Sequence, residues 1–510
     1  MTTPVSKLRE RMAELEDLRN TSALLGWDQQ TMMPPGGAVQ RAESLATLSR
    51  LRHELFISDE TGRLIEEAQG SLDGAAEDSD DRCLVRVVSR RWNKSRQVPA
   101  KLASDLARAF SVGQKAWSEA RRENDFGTFL PYLKQNLELT KRYVDCFDQF
   151  DCAYDALLDD YEPDMRTAQV SELFDQLKTE LRPLLSELAR HTVDDSFLRG
   201  NFPVTEQRQL IGEVLSLMGF DPDGWRLDDA VHPFATSFGS GDVRITTRWD
   251  ESYFPGALFG AMHECGHGLY EAGIASSLQR TPLGHGLSLG VHESQSRLWE
   301  NMVGRGRAFS HVLAPLVARR FGGKLAGISA DALFRAVNRS YPSLIRVEAD
   351  EVTYGLHIIL RFELEQELIE DRLRVEELPE AWNARMREYL NVEVPSDARG
   401  VLQDVHWAGG LVGYFPTYAL GNMIAGQLWQ QVQLDVPDLQ EQIAAGELGG
   451  LRAWLTEHVH RHGSKFTTSE LLERAVGSGL RVEPFIDYLK DKLSDVYGIS
   501  LTQPPQEKNQ

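Results

Sequence analysis

The sequence predicts an all-α fold that contains one small β-hairpin or sheet. Apolar residues recur at helical spacing along most of the chain, which is the main sign of amphipathic helices. Strand-like alternation is confined to residues 227–249, around the Gly-Ser-Gly at 239–241. The length of 510 residues exceeds what one simple core holds. We therefore expect two or three domains or one large two-lobed body.

The helices follow along the chain in order. The first is predicted by the helical spacing of Val5, Leu8, Met12 and Leu15. Three long amphipathic helices, rich in leucine and charged residues, are predicted over 98–125, 128–159 and 166–191. A later apolar stripe comprises Val352, Leu356, Ile359, Leu360, Leu364 and Leu368. The acidic stretch 70–81 is predicted to be an exposed loop.

The organisation of the chain points to one continuous unit. It has no repeat of fixed period and no long low-complexity linker. We therefore predict a single unit over 1–510. Within it, the N-terminal helices of 1–200 are expected to form a lid or wall over a core region that occupies 201–500.

Charge and cysteine content exclude several classes of protein. The chain has 76 acidic and 55 basic residues, and its net charge of -21 repels phosphate backbones. General binding to nucleic acids and to anionic membranes is therefore not expected. Four cysteines without a CxxC pair do not make a disulfide framework. The N-terminal residues carry charges where a signal peptide needs an apolar run, which predicts a cytoplasmic protein.

One long segment, 405–434, contains no Asp, Glu, Lys or Arg. A membrane-spanning helix has this property. However, the segment also contains four glycines before residue 422, one proline and several glutamines. This composition favours a buried central element over a membrane span.

The strongest chemical signal is AMHECGHGLYEAG, which contains the pattern H-E-x-x-H at His263, Glu264 and His267. On a helix, the two histidines lie on one face, about one turn apart. Two imidazoles placed in this way can bind one Zn²⁺ ion from the same side. Glu264 follows the first histidine directly and can reach a water molecule at the metal, which is the arrangement of a metalloprotease.

A third ligand must come from outside this turn. Gly273 stands where metzincin proteases carry their third histidine, so that class is excluded. Glu271 lies about 12 Å along the helix axis from His263, too far for a compact site. Glu293, which opens a second predicted helix 26 residues after His267, is the preferred ligand and leaves a fourth position open for water. The alternatives that stay open are His285 and His292.

Further short motifs accompany this pattern along the chain. They are WDQQTMMPP at 27–35, HPF at 232–234, DVRIT at 242–246, HESQ at 292–295, IRVEAD at 345–350 and GVLQDVHW at 400–407. With HECGH at 263–267, these motifs resemble those of the carboxypeptidase Taq family of metallocarboxypeptidases, in the same order. No motif position departs from the family pattern, and the resemblance extends over nearly the whole chain.

The resemblance carries expectations about fold and activity. It implies an all-helical fold with a long, deep central groove, similar to neurolysin and angiotensin-converting enzyme. It also implies removal of single C-terminal residues, with broad preference, from peptides with a free C-terminus. The implied cofactor is Zn²⁺, with Co²⁺ as a possible substitute, and the implied assembly is a homodimer. With this reading, the core region 201–500 is the catalytic region.

Four residues are expected to act in catalysis, one as the general base and three as candidate donors to an oxyanion. Glu264 is expected to act as the general base and then to protonate the leaving amine. The oxyanion of the tetrahedral intermediate needs hydrogen-bond donors, and His406 and Tyr414 are predicted to supply them, with Tyr418 as an alternative. These tyrosines also suit a second role, in which the ring packs in the core and the hydroxyl bonds to the backbone.

Recognition of a C-terminal carboxylate favours arginine, because its planar guanidinium pairs with both oxygens. Arg346 and Arg244, both in family motifs, are the predicted anchors. Each has a structural alternative, an ion pair of Arg244 with Asp242 and of Arg346 with Asp350. Asp350 and Asp404 are expected either to orient histidine ligands or to cap helices. The remaining predicted substrate contacts are His232, Gln403 and Tyr418.

Two other functions fit the same residues. An oligopeptidase or dipeptidyl carboxypeptidase would differ only in where the scissile bond lies relative to the free C-terminus. A helical binding protein that retains a metal site would bind metal without turnover. Glu264 argues against the second alternative, because a binding protein has no need of a general base.

Overall fold

The structure, a computed structural model, describes residues 3–501 apart from the side chain of Lys324. The polar tail 502–510, for which the sequence predicts fraying, lies outside the described residues. The α-helices of the described chain are α1 Pro4–Thr31, α2 Ala38–Ile57, α3 Asp59–Gly70, α4 Asp80–Gln97, α5 Ala100–Glu123, α6 Phe126–Val144, α7 Ala153–Leu158, α8 Thr167–Leu188, α9 Val204–Met218, α10 Phe254–Gly273, α11 Leu289–Arg297, α12 Arg307–Phe321, α13 Ala330–Val337, α14 Glu351–Ile369, α15 Leu378–Leu390, α16 Pro416–Asp435, α17 Leu439–Ala444, α18 Gly449–His458, α19 Thr468–Val476 and α20 Glu483–Tyr497. The all-α prediction is confirmed.

The predicted small sheet is also confirmed, and it has three strands, β1 Trp225–Asp229, β2 Ala235–Ser237 and β3 Val243–Thr247. The central strand β3 pairs parallel with β1 and antiparallel with β2. Helix α10 packs against this sheet. A β-carbon on Gly268 would lie 2.5 Å from the Trp225 ring and 2.8 Å from Val243. Glycine at this position of α10 therefore allows the helix to lie directly on the sheet.

Apolar spacing predicts helices α1 and α14 correctly. Helix α1 buries the stripe from Val5 to Leu15, and the Thr3 hydroxyl caps it by accepting from the backbone N–H of Ser6 at 3.1 Å. In α14 all six residues of the predicted stripe are buried. Asp350 caps α14, with Oδ1 accepting from the backbone N–H of Val352 at 2.9 Å.

The predicted helix over 128–159 is wrong in its middle. Helix α6 ends at Val144, and α7 begins only at Ala153. The apolar pattern continues through the gap because Phe147 packs edge-on against Tyr143, with ring centroids 5.0 Å apart. The gap also contains several aspartates, whose side chains compete with helical backbone hydrogen bonds and favour turns.

The chain divides into two compact units that alternate along the sequence. Among the described residues, the first comprises 3–96, 196–337 and 428–479, and the second comprises 97–195, 338–427 and 480–501. The sequence instead predicts a consecutive arrangement with its boundary at residue 200. The lid or wall role of 1–200, the catalytic region 201–500 and the central groove stay predictions.

Helix α16 contains most of the uncharged segment. Its side chains are largely buried, as the sequence predicts for this segment. Within residues 3–501, no helix combines the length and the apolar character that crossing a membrane requires.

Candidate metal centre and its surroundings

Two helices of the first unit bring the three predicted metal ligands together. His263 and His267 lie one turn apart on α10. Glu293 lies on α11, whose N-terminus is capped by the Ser288 hydroxyl, which accepts from the backbone N–H of Val291 at 3.2 Å. Oε2 of Glu293 is 3.6 Å from Nε2 of each histidine. The side chains of all three residues thus converge on one point.

A glycine allows the two helices to approach so closely. Gly266 faces α11, and a β-carbon there would lie 2.8 Å from the carbonyl oxygen of Gln295 and 2.8 Å from Cα of Ser296. Any larger residue would collide with the backbone of the helix that carries Glu293. The glycine in the HECGH motif therefore sets the distance between the ligands.

The donor atoms fit a zinc-like cation. Two ligand atoms that each lie about 2.0–2.1 Å from a tetrahedral Zn²⁺ ion are about 3.4 Å apart, close to the observed 3.6 Å. In residues 3–501, His263, His267 and Glu293 form the one group of three or more His, Cys, Asp or Glu residues that could hold a metal ion, and their donor atoms all lie within 4.8 Å of one another. Two imidazoles and one carboxylate are typical of an open, catalytic metal site.

Glu264 lies beside the first histidine and is only 7% exposed. Burial raises the pKa of its carboxyl group to about 7, and the charge of Glu293 acts in the same direction. A carboxylate with this pKa can accept a proton and give it up again near neutral pH.

A second carboxylate, Glu300, orients His263. Its Oε2 lies 2.9 Å from Nδ1 of that histidine. Glu300 belongs to a π-helical segment, Leu298–Gly304, that continues α11. Arg297 contacts it at 3.4 Å and also donates through Nε to Oε1 of Glu293 at 2.6 Å. The sequence reasoning missed Glu300, although its position seven residues after Glu293, two helical turns on, was a usable signal.

His267 has a different partner, His292, one of the two alternative ligands. The two Nδ1 atoms are 2.6 Å apart, and Nε2 of His292 lies 2.9 Å from Oε1 of Glu271. The other alternative, His285, contacts Glu16 through Nε2 at 2.8 Å. Neither histidine belongs to the ligand cluster.

The remaining predicted residues of the first unit lie on or near the sheet. Arg244, on β3, makes a two-pronged ion pair with Asp242, with both N···O distances at 2.9 Å. Its guanidinium also lies over the Trp27 ring, 4.3 Å from the centroid. The structural alternative for Arg244 is therefore present in the structure. His232 is exposed and precedes β2.

In the second unit, Arg346 and Arg361 share one carboxylate. Arg346 pairs with Oδ1 of Asp404 at 2.8 Å, and Arg361 pairs with Oδ2 at 2.5 Å. Gln403 accepts from the backbone N–H of Arg346 at 3.0 Å. The alternative partner predicted for Arg346, Asp350, is wrong, because Asp350 caps α14 instead. Arg361 was missed, since its contact with Asp404 joins residues 43 positions apart.

His406 lies next to this cluster. Burial lowers its pKa to about 3, so its imidazole is neutral. Nε2 is 3.2 Å from the hydroxyl of Tyr418, and the ring lies 5.5 Å from that of Tyr414. Nδ1 is buried and has no hydrogen-bond partner among residues 3–501. A buried polar atom of this kind calls for a ligand or another explanation.

Comparison with known proteins shows the family. The model of the carboxypeptidase Taq (M32) metallopeptidase family matches residues 7–493. Thermostable carboxypeptidase 1 of Thermus thermophilus is 42% identical over 502 residues, which cover 96% of this chain and 98% of the relative. Carboxypeptidase 1 of Bacillus subtilis is 40% identical and covers 93% and 95% of the two chains.

Solved structures show the same fold. An M32 carboxypeptidase from Deinococcus radiodurans superposes with a TM-score of 0.93 at 38% identity, covering 97% of this chain and 100% of the other. Metallocarboxypeptidase 1 of Trypanosoma cruzi gives a TM-score of 0.90 at 34% identity, covering 96% and 99%. Family model, relatives and structures all span nearly the full length. The chain belongs to the carboxypeptidase Taq (M32) family of metallopeptidases.

Proposed function

We propose that this metallocarboxypeptidase removes single residues from the free C-terminus of peptides, with broad preference for the residue released. The observation that carries the proposal is the convergence of His263, His267 and Glu293 beside the buried Glu264. Two imidazoles, one carboxylate and an adjacent proton acceptor are the groups that hydrolysis of a peptide bond by an activated water requires.

The proposed cofactor is Zn²⁺, held by His263, His267 and Glu293, with Co²⁺ as a possible substitute. Nitrogen and carboxylate donors in an open site suit both ions. When bound, such a metal lowers the pKa of a coordinated water and polarises the scissile carbonyl. Glu300 and Arg297 support the assignment because they hold a histidine and a carboxylate ligand in place.

Glu264 is the proposed general base. It takes a proton from the attacking water and later delivers it to the nitrogen of the leaving amino acid. Its raised pKa, about 7, supports both steps, because the carboxylate accepts the proton and the acid returns it at neutral pH. Burial also keeps bulk water away from the transferred proton.

His406, Tyr414 and Tyr418 are the proposed donors to the oxyanion. Support comes from the buried Nδ1 of His406, which has no hydrogen-bond partner in the described part of the chain and lies 3.9 Å from Oδ1 of Asp404. If the Tyr418 hydroxyl donates to Nε2 of the neutral imidazole, Nδ1 carries the proton and is a free donor. The assignment of Tyr414 rests on its ring contact with His406 alone.

Arg346 is the better supported of the two proposed carboxylate anchors. Arg346 and Arg361 together carry two positive charges against the single charge of Asp404, so this cluster favours an added anion. The single positive charge of Arg244 is balanced by the single negative charge of Asp242, so Arg244 attracts a substrate carboxylate less strongly. Gln403 and His232 are proposed to contact substrate on the strength of their motifs alone.

The test is mass spectrometry of one peptide in two forms, the free acid and the C-terminal amide, with Zn²⁺ or Co²⁺ added and with a chelated control. We expect the acid to be shortened one residue at a time, the amide to be spared and the chelator to stop the reaction. Internal cleavage of both forms would assign an oligopeptidase, and release of dipeptides would assign a dipeptidyl carboxypeptidase. Metal binding without turnover of any peptide would assign a binding protein.

A homodimer and a cytoplasmic location are further proposals. The first rests on the family resemblance, and light scattering of the full-length chain measures it directly. The second rests on the four cysteines without a CxxC pair, which do not make a disulfide framework. Fractionation of cells that produce the protein tests it.

A further inference from the structure

The two histidines of the proposed metal site differ in what their second ring nitrogen contacts. Nε2 of both rings lies 3.6 Å from Oε2 of Glu293, so Nδ1 of both rings faces away from the cluster. Nδ1 of His263 meets a carboxylate oxygen of Glu300 at 2.9 Å. Nδ1 of His267 meets another imidazole instead, through Nδ1 of His292 at 2.6 Å.

The contacts continue beyond His292 to a partly buried carboxylate, Glu271. Its Nε2 is 2.9 Å from Oε1 of Glu271. The same oxygen accepts from the backbone N–H of Gly286 at 2.9 Å, and Oε2 accepts from the Ser237 hydroxyl at 3.2 Å. Glu271 therefore receives hydrogen bonds from three directions, as an ionised carboxylate can.

One arrangement of protons satisfies every contact in this row. His267 donates from Nδ1 to Nδ1 of His292, and His292 donates from Nε2 to Glu271. This assignment follows from the hydrogen-bond network, since one nitrogen of a neutral imidazole donates and the other accepts. It leaves Nε2 of His267 without a proton, which is the state that a metal ligand requires.

Chain geometry explains why a second histidine is needed. Glu271 lies one turn after His267 on α10, where its carboxylate contacts His292, His285 and Gly286. His292 comes from α11 and bridges the two. It directly precedes Glu293, and adjacent helical residues point about 100° apart. The same turn of α11 thus supplies one ligand and the group behind another.

The glycine-rich loop closes over this row of side chains. A β-carbon on Gly286 would lie 2.4 Å from the ring of His292, 3.1 Å from Tyr270 and 3.3 Å from Glu271. No residue with a side chain fits this position without moving the row. The glycine at position 286 of the loop sequence GHGLSLG, at 284–290, therefore leaves room for the ring of His292.

We propose that His292 and Glu271 are positioning residues that hold His267 in its metal-binding tautomer and orientation through a His–His–Glu relay. This inference rests on the proposed function, because it takes His267 to be a metal ligand. The relay contrasts with the direct carboxylate contact of His263. Partners of this kind typically contribute a 10- to 100-fold factor in metal affinity.

The test compares three variants of the full-length holoprotein in competition with a chelator for Zn²⁺. His292→Phe keeps a ring but removes both nitrogens, and we expect it to bind Zn²⁺ about 10- to 100-fold more weakly. His292→Gln keeps one acceptor and one donor, and we expect it to recover part of the loss. Tyr270→Phe is the matched control, because its ring lies 5.3 Å from that of His292 while its hydroxyl contacts Leu287 instead of the relay.

A second measurement reports the relay proton itself. In the Co²⁺-loaded protein, the Nδ1 proton of each ligand imidazole gives an exchangeable NMR signal shifted by the metal. We expect one such signal for His263 and one for His267, and we expect His292→Phe to lose the second through fast exchange with water. Persistence of both signals in that variant would overturn the relay.

Three results in the affinity assay would also overturn it. They are unchanged Zn²⁺ affinity in His292→Phe, an equal loss in Tyr270→Phe, and no recovery in His292→Gln. Failure of the proposed function looks different, because the parent protein would then bind no divalent metal, or His263→Ala would bind it as tightly as the parent. The relay alone fails when the parent behaves as expected and the His292 variants do not.

Discussion

Two carboxylates next to His263, the buried Glu264 and the partly buried Glu300, differ in their affinity for a proton. Burial raises the pKa of Glu264 to about 7. Burial acts in the same direction on Glu300, but its hydrogen bond with His263 and the charges of Arg297 and Arg305 hold the pKa of Glu300 well below its ordinary value. Their surroundings thus make Glu264 a group that can exchange a proton near neutral pH, whereas Glu300 stays an anion.

This difference predicts the effect of removing the base. Glu264→Gln keeps the size of the side chain but cannot accept a proton, so we expect turnover to fall by about 10²–10⁴-fold or more. Metal content should stay at the parent level, because the proposed ligands are unchanged. Peptide hydrolysis and metal analysis on the same sample measure both. Turnover at the parent rate would rule out Glu264 as the base.

The sequence predicts residues of the site well where contacts are local. His263 and His267 are separated by one turn of one helix, so their spacing suffices to pair them. Glu293 lies on the next helix, and spacing left His285 and His292 open as alternatives to it. Contacts between distant segments are not visible in the same way. Arg346 therefore received the wrong partner, and Arg361 received no role, because the choice of Asp404 depends on packing.

At the scale of elements, the distance between α10 and α11 determines the proposed metal site. The close approach at Gly266 predicts that Gly266→Ala forces α11 away, since its β-carbon would lie 2.8 Å from the α11 backbone. Sites of this kind tolerate only about 0.5 Å of displacement. We expect Zn²⁺ affinity to fall by at least about tenfold, in line with what loss of ligand orientation costs. Chelator competition measures it.

A matched control lies on the same helix. A β-carbon on Gly260 would meet only the Thr247 hydroxyl at 3.8 Å and Pro233 at 4.0 Å, both ordinary contacts. Gly260→Ala should therefore keep the parent affinity and stabilise the helix by up to about 1 kcal/mol. Equal metal affinity of the two variants would show that the helix separation does not set the site.

Element prediction succeeds where the pattern has a single period. The stripes of α1 and α14 repeat regularly, and both helices are found. The apolar spacing gives no sign of the π-helical segment Leu298–Gly304. One extra residue per turn shifts the positions of the apolar residues but leaves them recurring at nearly helical intervals. Nor does the apolar spacing show the interruption between α6 and α7, where aromatic packing preserves this spacing without a helix.

At the scale of the whole molecule, each compact unit is assembled from segments that are far apart in the sequence. Sequence patterns extend over one element at a time and do not show which segments come together. The first unit joins residues 3–96 with 196–337 and 428–479. Helical periodicity shows which face of each helix is buried but not which helix covers it. No linker in the sequence marks where the chain passes from one unit to the other, and the roles assigned to 1–200 and 201–500 stay predictions.

The free energy of unfolding of the whole chain is also expected to depend on pH. His357, on α14, is fully buried, with Nε2 at 3.1 Å from the carbonyl oxygen of Ser343 and Nδ1 at 3.4 Å from the Arg361 guanidinium. Burial, reinforced by the Arg361 charge, lowers the pKa of His357 well below its ordinary value. The folded chain therefore leaves this ring neutral where the unfolded chain protonates it, below about pH 6.5.

The sign follows from proton counts. Below pH 6.5 the unfolded state binds one more proton than the native state at this position, so the free energy of unfolding falls as the pH falls. One such group contributes a slope of about 1.4 kcal/mol per pH unit. We expect His357→Gln, which cannot titrate, to make the slope shallower by about this amount between about pH 6 and 4.5. Urea unfolding of the metal-free chain at several pH values measures it.

His53→Gln is the control for this last prediction. His53 lies on α2 and is exposed, so folding does not remove its ring from water. The urea midpoints of this variant should follow those of the parent chain at every pH. The same slope in His357→Gln and in the parent would show that His357 is protonated in the folded state. Its contact with Arg361 would then have to break before the chain unfolds, since an imidazolium cannot accept a hydrogen bond from a guanidinium.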